Sequence, residues 1–161
     1  MEAIANLFRC LCCKAAKRKD VEENLVSTSM AYKLNKQPGE ELATFGAGCY
    51  WGTEKYFVTN LQKELGRYLL GQAVGFMSAD PDAKPNPTYR EVCSGITGHV
   101  EVLHMRFDNR LVDYEKLVRF FFTFHDPTTW NKQGNDKGTQ YASVIFYHNE
   151  KQREIAQMVK D

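Results

Sequence analysis

The chain has 161 residues, and its 43% apolar and 25% charged content is typical of one soluble globular domain, which excludes a disordered chain and a membrane-spanning one. Residues 1–19 hold five basic residues and one acidic residue, a net charge of +4, and the rest of the chain holds 16 basic and 19 acidic residues, a net charge of −3. This slightly acidic body argues against a nucleic-acid-binding surface.

Residues 1–39 are predicted to form a basic arm and linker, and residues 40–161 are predicted to form the folded domain. The five cysteines are an odd number in a chain without a recognisable secretory signal, which indicates reduced thiols and a cytoplasmic protein. Two interpretations fit the arm's cluster of Cys10, Cys12 and Cys13 beside basic residues: a weak, palmitoylated membrane tether, or a basic helix with incidental cysteines.

The domain is predicted to begin with a strand over residues 41–46, because a short apolar run there is bounded by glycine. Apolar residues then recur at helical spacing over residues 51–65, which predicts an amphipathic helix. Residues 72–77 form a second predicted strand, and the loop that follows, residues 78–87, is too polar for the core. A short helical turn is expected over residues 88–94.

The clearest predicted strand covers residues 99–107. Alternate residues of a strand face opposite sides of the sheet, and Glu101 lies on the more apolar side, which it shares with Leu103. Glu101 is therefore expected to be an acidic group in apolar surroundings.

A largely buried helix is predicted next, capped by Asp113 and running to about Phe124.

Residues 125–140 are rich in glycine and polar residues, and they are predicted to form a long structureless loop with a functional role. A strand over residues 141–148 follows, and Asn149 with Gln152 predicts a capping box at the start of a last helix. Strands that alternate with helices in this way predict a sheet with helices packed on it, in an α+β or α/β arrangement.

Cys49 is the candidate nucleophile. It lies within residues 46–52, where the first predicted strand ends and the helix begins. Unpaired backbone N–H groups at a helix start favour a thiolate over a thiol, and the flanking glycines are expected to let a substrate approach the backbone. Tyr50 and Trp51 are expected to wall a small apolar pocket. The simpler alternative is a buried cysteine beside a tight turn.

Four further residues are candidates to act with this thiol. Glu101 in apolar surroundings is expected to stay protonated near neutral pH and to donate a proton, unless a buried Arg or Lys pairs with it. Tyr89 and Tyr141 adjoin loops, where their hydroxyls can donate to a developing oxyanion, although ordinary half-buried packing is the more common explanation for each tyrosine taken alone. Asp136 is either a further polar site residue or a turn residue that bonds its own backbone.

Two other chemistries remain open from the residues alone. His99 or His125 beside Cys49 would make a cysteine hydrolase or acyltransferase, although no local signature of the familiar cysteine proteases is present. A thiol peroxidase or redox sensor would pass through the same sulfenic acid that a reductase forms. No metal site is predicted, because the N-terminal cysteines lack paired ligands elsewhere.

Several motifs follow one another in a characteristic order. They are GCYWG at 48–52, NPTYREVCSG at 86–95, TGHVE at 97–101, HDP at 125–127, QGND at 133–136 and GTQY at 138–141. These motifs resemble the A-class peptide methionine sulfoxide reductases, which reduce the S epimer of methionine sulfoxide, and the resemblance runs from residue 41 to about 160. It implies an α+β, ferredoxin-like two-layer α/β sandwich with a mixed sheet and a shortened C-terminal end.

The resemblance also implies a role for each matching residue. Cys49 would attack the sulfoxide sulfur and become a sulfenic acid, and Glu101 would protonate or hydrogen-bond the sulfoxide oxygen. The implied substrate-binding residues are Tyr50 and Trp51 around the methyl group, Tyr89 and Tyr141 on the oxygen, and Asp136 in the hydrogen-bond network.

Three departures from the family pattern stand out. Tyr50 replaces a phenylalanine, and residues 77–85 replace a shorter turn that bears glycine and tyrosine. The sequence ends at Asp161, inside the last predicted helix, and no cysteine follows Cys93, a position that is not the family's usual resolving cysteine. A resolving thiol is therefore expected from outside the domain.

The resemblance also implies that the protein has no bound cofactor. It further implies a monomer that acts on free or protein-bound methionine sulfoxide. Thioredoxin, glutaredoxin or glutathione would reduce Cys49 again, unless one of the arm cysteines does so. The rival hypothesis is a truncated, non-catalytic paralogue that binds oxidised methionine segments without turnover.

Overall fold

The computed structural model describes residues 2–5, which form strand β1 (Glu2–Ala5), and residues 39–161. Cys10, Cys12 and Cys13 lie outside these residues, so both interpretations of that cluster stay predictions. None of the helices in the described parts of the chain is long and apolar enough to cross a membrane.

After β1, the elements follow in this order: β2 (Glu40–Ala47), α1 (Tyr50–Glu54), a π-helical segment (Lys55–Leu61), α2 (Gln62–Leu65), β3 (Leu69–Met77), α3 (Tyr89–Cys93), β4 (Val100–Asp108), α4 (Tyr114–Phe121), β5 (Lys132–Gln133), β6 (Asp136–Lys137), a 3₁₀ turn (Thr139–Tyr141), β7 (Ser143–Tyr147) and α5 (Glu150–Lys160).

The main sheet has the strand order β1-β7-β2-β4-β3, and every pairing in it is antiparallel. The predicted α+β fold with helices packed on a sheet is confirmed, but the predicted mixed sheet is wrong. The helical segment after β2 does lead to a strand of the same direction, β3, yet β4 lies between the two and is antiparallel to both. The parallel pair that a strand-helix-strand pattern suggests is therefore never formed.

Both long helices predicted from the periodicity are confirmed. The first is the continuous run from α1 through the π-helical segment to α2, and it ends at Gly66, which has a φ of +79°. The second begins where Asp113 accepts a hydrogen bond from the Lys116 backbone N–H at 2.7 Å. It ends at Phe121, three residues before the predicted end.

The segment predicted as a structureless loop, residues 125–140, contains the β5–β6 hairpin and the first two residues of the 3₁₀ turn. The strand predicted from residue 141 begins only at Ser143, which leaves Tyr141 in the turn. Elements of two or three polar residues carry no hydrophobic periodicity, so the sequence pattern could not reveal them.

Only half of the predicted capping box forms at the start of α5. The Asn149 side chain accepts a hydrogen bond from the Gln152 backbone N–H at 2.9 Å, as expected. The Gln152 side chain, however, accepts from the His148 backbone N–H at 2.9 Å and donates to the Leu42 carbonyl at 2.8 Å. Gln152 thereby joins α5 to the sheet.

The main core lies between the sheet and the helices, and Phe45 of β2 is at its centre. Its ring is fully buried and stacks on Phe57 at a centroid distance of 5.0 Å and on Phe121 at 5.2 Å. The predicted apolar face of β4 also points into this core. The opposite face of the sheet carries a smaller buried cluster: Met77, Val102, Val144 and Phe146.

A polar group lies on that opposite face. The buried Thr44 hydroxyl is 2.7 Å from His104 Nδ1 and 2.9 Å from His148 Nε2. Burial lowers the pKa of His104 to about 4, so this imidazole is neutral at neutral pH. Thr44 can then donate to one ring and accept from the other, which satisfies its buried hydroxyl.

We predict that Phe45→Ala lowers the free energy of unfolding by about 3–5 kcal/mol, because it removes a fully buried ring and leaves a cavity. Urea denaturation measures this change. Ile96→Ala is the control, because Ile96 is 84% exposed and its truncation should change stability by less than about 0.5 kcal/mol. Equal effects of the two substitutions would contradict this description of the core.

Candidate active site

Cys49 lies at the N-cap of α1, immediately after β2, as the sequence predicted. Its carbonyl oxygen accepts hydrogen bonds from the backbone N–H groups of Gly52 at 3.0 Å and Thr53 at 3.3 Å, which starts the helix. The residue is partly buried and packs against a small apolar cluster that contains Phe76 and Val92. Cys49 therefore lies where the end of β2 meets the start of α1.

Gly46 and Gly48 before the thiol lie close to the protein itself. A Cβ atom on Gly46 would be 2.8 Å from Val144 Cγ1 and 2.9 Å from the Glu101 carbonyl oxygen. Gly48 has a φ of +87°, and its Cβ would be 2.7 Å from Gln133 Cβ. The sequence predicted that these glycines make room for a substrate, whereas their near neighbours are protein atoms that hold the turn against the sheet and the β5–β6 hairpin.

Glu101 lies near the start of β4 and is only 2% exposed. Its Oε2 atom accepts a hydrogen bond from the Tyr50 backbone N–H at 2.9 Å. Burial raises the pKa of Glu101, the Tyr50 hydrogen bond opposes that shift, and the Asp136 charge adds to it. No Arg or Lys within residues 39–161 forms an ion pair with Glu101, so the alternative of a structural ion pair has no support there.

Three aromatic rings adjoin the thiol. Tyr50 is 7% exposed, and its ring meets the edge of Trp51 at a centroid distance of 5.1 Å and lies 5.9 Å from Phe76. Trp51 is 59% exposed, so the Trp51 side of this group of rings is open to solvent. Phe76, which is buried at the end of β3, was not predicted as a site residue, because an apolar residue in a strand carries no signal that separates it from the core.

Tyr89 is the first residue of α3, and its ring lies 6.2 Å from Phe76. Thr88 and Glu91 form a complete capping box at this helix start, which orders the backbone from which the Tyr89 side chain extends. A hydrogen bond with Cys93, one turn further along the same helix, raises the pKa of Tyr89 well above its ordinary value. Cys93 is an exposed free thiol that sequence reasoning did not assign to the site.

Tyr141 ends the 3₁₀ turn and is half-buried. Burial raises the pKa of Tyr141, and the charges of Glu101, Asp136 and Cys93 raise it further, while a hydrogen bond from Gln140 lowers it. Asp136 lies in the β5–β6 hairpin with an exposed side chain, and its charge acts on both Glu101 and Tyr141.

The predicted site residues thus come together at one place in the fold. Burial raises the pKa of Tyr50, and the nearby charges of Glu101, Cys49, Cys93 and Tyr141 raise it further. The Trp51 ring contacts Tyr50, and the Tyr89 ring lies near Phe76. The charge of Asp136 acts on Glu101. Apart from Phe76, Cys93 and Gln140, all of these residues were predicted from the sequence.

The two histidine candidates have other partners. His125 Nδ1 lies 2.7 Å from the Phe121 carbonyl oxygen and its Nε2 lies 2.8 Å from Ser143 Oγ. Because burial lowers the pKa of His125, its neutral ring donates to the carbonyl and accepts from the serine. His99 Nδ1 lies 3.0 Å from the Thr97 carbonyl oxygen. These contacts give no support to a cysteine and histidine hydrolase.

The part of the chain that the structure describes contains no group of three or more His, Cys, Asp or Glu side chains placed to hold a metal ion. The candidate site contains the Cys49 thiol, the buried Glu101 carboxyl group and the phenols of three tyrosines, Tyr50, Tyr89 and Tyr141.

Solved structures with a similar fold are methionine sulfoxide reductases. Yeast (Saccharomyces cerevisiae) Mxr1 in its reduced form has a TM-score of 0.69 and 33% sequence identity over 84% of this chain and 73% of that one. Methionine sulfoxide reductase A of Corynebacterium diphtheriae has a TM-score of 0.62 and 38% identity over 78% of this chain and 58% of that one. A structure of Mxr1 in complex with Trx2 has a TM-score of 0.52 at 23% identity, over 84% of this chain and 71% of that one.

Curated sequences give the same result. Peptide methionine sulfoxide reductase MsrA 1 of Nostoc is 51% identical over 74% of this chain and 68% of its own length. MsrA of Saccharolobus solfataricus is 44% identical over 73% of this chain and 61% of its own length. The chain thus spans about two thirds of the length of these relatives. The family model described as peptide methionine sulfoxide reductase matches residues 41–161, and the chain belongs to this family, in its A class.

Proposed function

We propose that residues 40–161 form a catalytic domain that reduces methionine-S-sulfoxide, free or in proteins, to methionine. Cys49 attacks the sulfoxide sulfur, the sulfur–oxygen bond breaks, and the oxygen ends on Cys49 as a sulfenic acid. The sulfoxide is reduced by two electrons and the cysteine is oxidised by two. Membership of the family supports this reaction, and the geometry at Cys49 supports the assignment of each role.

One observation carries the assignment of the acid. The Glu101 carboxyl is buried and accepts a hydrogen bond from the backbone N–H of Tyr50, the residue that follows the thiol. A carboxyl group with a raised pKa keeps its proton closer to neutral pH, where it can give that proton to the sulfoxide oxygen. Cys49 and Glu101 therefore approach the same sulfoxide group, one at sulfur and one at oxygen.

The remaining residues hold the substrate in that position. Tyr50 and Trp51 present an apolar edge-to-face pair that fits the methyl group of methionine sulfoxide. Tyr89 and Tyr141 each carry a hydroxyl whose pKa is raised, so both phenols are protonated at neutral pH and can donate to the sulfoxide oxygen. Asp136 acts from the hairpin on the hydrogen-bond network.

We propose that a thioredoxin-type protein reduces Cys49 again, in a reducing compartment such as the cytoplasm. The structure of yeast Mxr1 with Trx2 supports a protein reductant for this family. Glutaredoxin and glutathione are the other reductants to test. The exchange would first join Cys49 to the reductant's thiol in a mixed disulfide with loss of water, and a second thiol of the reductant would then release Cys49.

A single-turnover assay tests the nucleophile. Protein in excess over methionine-S-sulfoxide, without a recycling reductant, is expected to release one methionine per sulfoxide and to lose one thiol for each. Cys49→Ser should release none, whereas Cys93→Ser, the matched control at the second free thiol of the described residues, should keep this stoichiometry. If the wild-type chain releases no methionine, the non-catalytic alternative is correct.

The rate of the same assay tests the acid. Glu101→Gln is expected to slow the reductive step about 10²- to 10⁴-fold near pH 7, because the proton donor is lost while the hydrogen bond from Tyr50 can remain. Glu54→Gln is the control, because burial also raises the pKa of Glu54 although the structure gives it no contact with the thiol. Equal rates for Glu101→Gln and the wild-type chain would refute the assigned role.

The pH dependence of stability tests the protonation state independently of activity. With a pKa raised in the folded state, Glu101 disfavours folding increasingly as pH rises from the ordinary glutamate value through the folded-state pKa. Glu101→Gln should therefore gain stability relative to the wild-type chain between pH 4 and pH 7.5 in urea denaturation.

Glu91→Gln should show the opposite trend in a more acidic range, because Lys84 and Thr88 lower the pKa of Glu91 to about 2 and its stabilising contribution is lost as pH falls from about 4.5 to about 2. If the stability of Glu101→Gln relative to the wild-type chain changes with pH in the same direction as that of Glu91→Gln, the raised pKa of Glu101 is wrong.

A further inference from the structure

We propose that Gln133 is a positioning residue for the active site. Its side chain fixes the β5–β6 hairpin against the turn before Cys49, and the hairpin in turn holds Asp136 near Glu101. This inference rests on the proposed function, because that function gives these three residues their roles.

The first support is the contact between Gln133 and the turn before the thiol. A Cβ atom on Gly48 would lie 2.7 Å from Gln133 Cβ and 2.9 Å from Gln133 Cγ, so the aliphatic part of the Gln133 side chain lies directly against this glycine. Gly48 immediately precedes Cys49 in the chain. Gln133 therefore restricts the movement of the backbone that leads into the nucleophile.

The second support is the way in which the end of the side chain is held. Gln133 Oε1 accepts a hydrogen bond from the Asp126 backbone N–H at 3.3 Å, and Gln133 Nε2 donates to the Asp126 carbonyl oxygen at 3.3 Å. An amide that accepts from one main-chain group and donates to another has a defined orientation. The Gln133 side chain is thus fixed at its polar end by Asp126 and along its length by Gly48.

Asp126 is itself connected to the body of the domain. The ring nitrogens of the preceding residue, His125, lie 2.7 Å from the Phe121 carbonyl oxygen and 2.8 Å from Ser143 Oγ, which joins this segment to α4 and β7. The Asp126 carboxylate accepts hydrogen bonds from the backbone N–H of Thr128 at 2.9 Å and from its hydroxyl at 2.6 Å. Gln133 therefore connects the hairpin to a segment that is held by both a helix and the sheet.

The pairing of the hairpin relates the position of Gln133 to that of Asp136. The two residues lie directly opposite each other in the β5–β6 ladder, so their side chains are on the same face of the hairpin. The neighbouring pair, Lys132 and Lys137, is on the other face. Because the charge of Asp136 acts on Glu101, a hairpin that lost its Gln133 contacts would weaken this interaction by moving away.

Titration of Glu101 tests this connection without substrate. ¹³C NMR of labelled glutamate carboxyl groups, assigned with Glu101→Gln, measures the pKa. It is expected to fall in Asp136→Asn, because the Asp136 charge raises it, and also in Gln133→Met, which keeps the side-chain length but loses both hydrogen bonds. Gln133→Met added to Asp136→Asn should produce no further fall, because the charge through which Gln133 acts is then absent.

The single-turnover assay measures the consequence for the reaction. Gln133→Met is expected to slow the reductive step about 10- to 100-fold, as a displacement of reacting groups by about 1 Å can do. Lys132→Met is the matched control, because Lys132 lies in the same strand, is exposed and faces the opposite side of the hairpin. It should change neither the rate nor the pKa of Glu101.

If Gln133→Met does not fold, Gln133→Asn is the second variant. It keeps the amide group but is one methylene group shorter, so the amide no longer reaches the Asp126 backbone. It should lower the pKa of Glu101 and slow the reaction as Gln133→Met does.

A double-mutant cycle tests the contact with Gly48. Gly48→Ala is expected to lower the free energy of unfolding for two reasons, the positive φ of residue 48 and the clash with Gln133. Gln133→Gly removes the atoms that cause the clash but leaves the φ unchanged. Gly48→Ala should therefore cost less stability in the Gln133→Gly background, as measured by urea denaturation.

Three results would overturn the proposal: an unchanged pKa of Glu101 in Gln133→Met, equal rates in Gln133→Met and Lys132→Met, or equal costs of Gly48→Ala in the two backgrounds. The titration and the denaturation use protein without substrate, so they decide the contacts of Gln133 even if the wild-type chain releases no methionine. Failure of the proposed function is read separately, from the stoichiometry of the wild-type chain.

Discussion

The hydrogen bond from the Tyr50 backbone N–H to Glu101 Oε2 is the contact on which the site depends. A buried carboxyl group is stable only if its oxygens have partners, and an N–H group at a helix start needs an acceptor. The N–H group and the carboxyl oxygen therefore supply each other's hydrogen-bond partner, and this hydrogen bond joins the start of α1 to β4. Because Cys49 directly precedes that N–H group, the thiol is fixed beside the acid by the backbone.

Glycine makes this close approach possible. Gly46 lies where β2 is close to both Val144 of β7 and the backbone of Glu101 in β4, and Gly138 leaves room for the side-chain amide of Gln140. In both cases the missing side chain is replaced by another part of the protein. The glycines of the site thus determine how tightly its walls fit, and the polar side chains determine what those walls do.

The sequence predicted the parts of the site that depend on local patterns. Alternation in β4 located Glu101 on the core face, and the change from strand to helix located Cys49. The antiparallel insertion of β4 between β2 and β3 could not be predicted, because strand order is decided by pairing over long distances in the chain. Phe76 was missed for a similar reason: its place at the site arises from the rings that it contacts.

The strand order also has a consequence for how the chain folds. Glu40 pairs with Asp108, and Thr44 pairs with Phe146, so the central strand finds both of its neighbours in distant parts of the sequence. Such contacts require large loops to close before they contribute any stability, which slows folding. Cys49 and Glu101 meet only when these closures are complete, so the proposed site forms late in folding, as a property of the whole sheet.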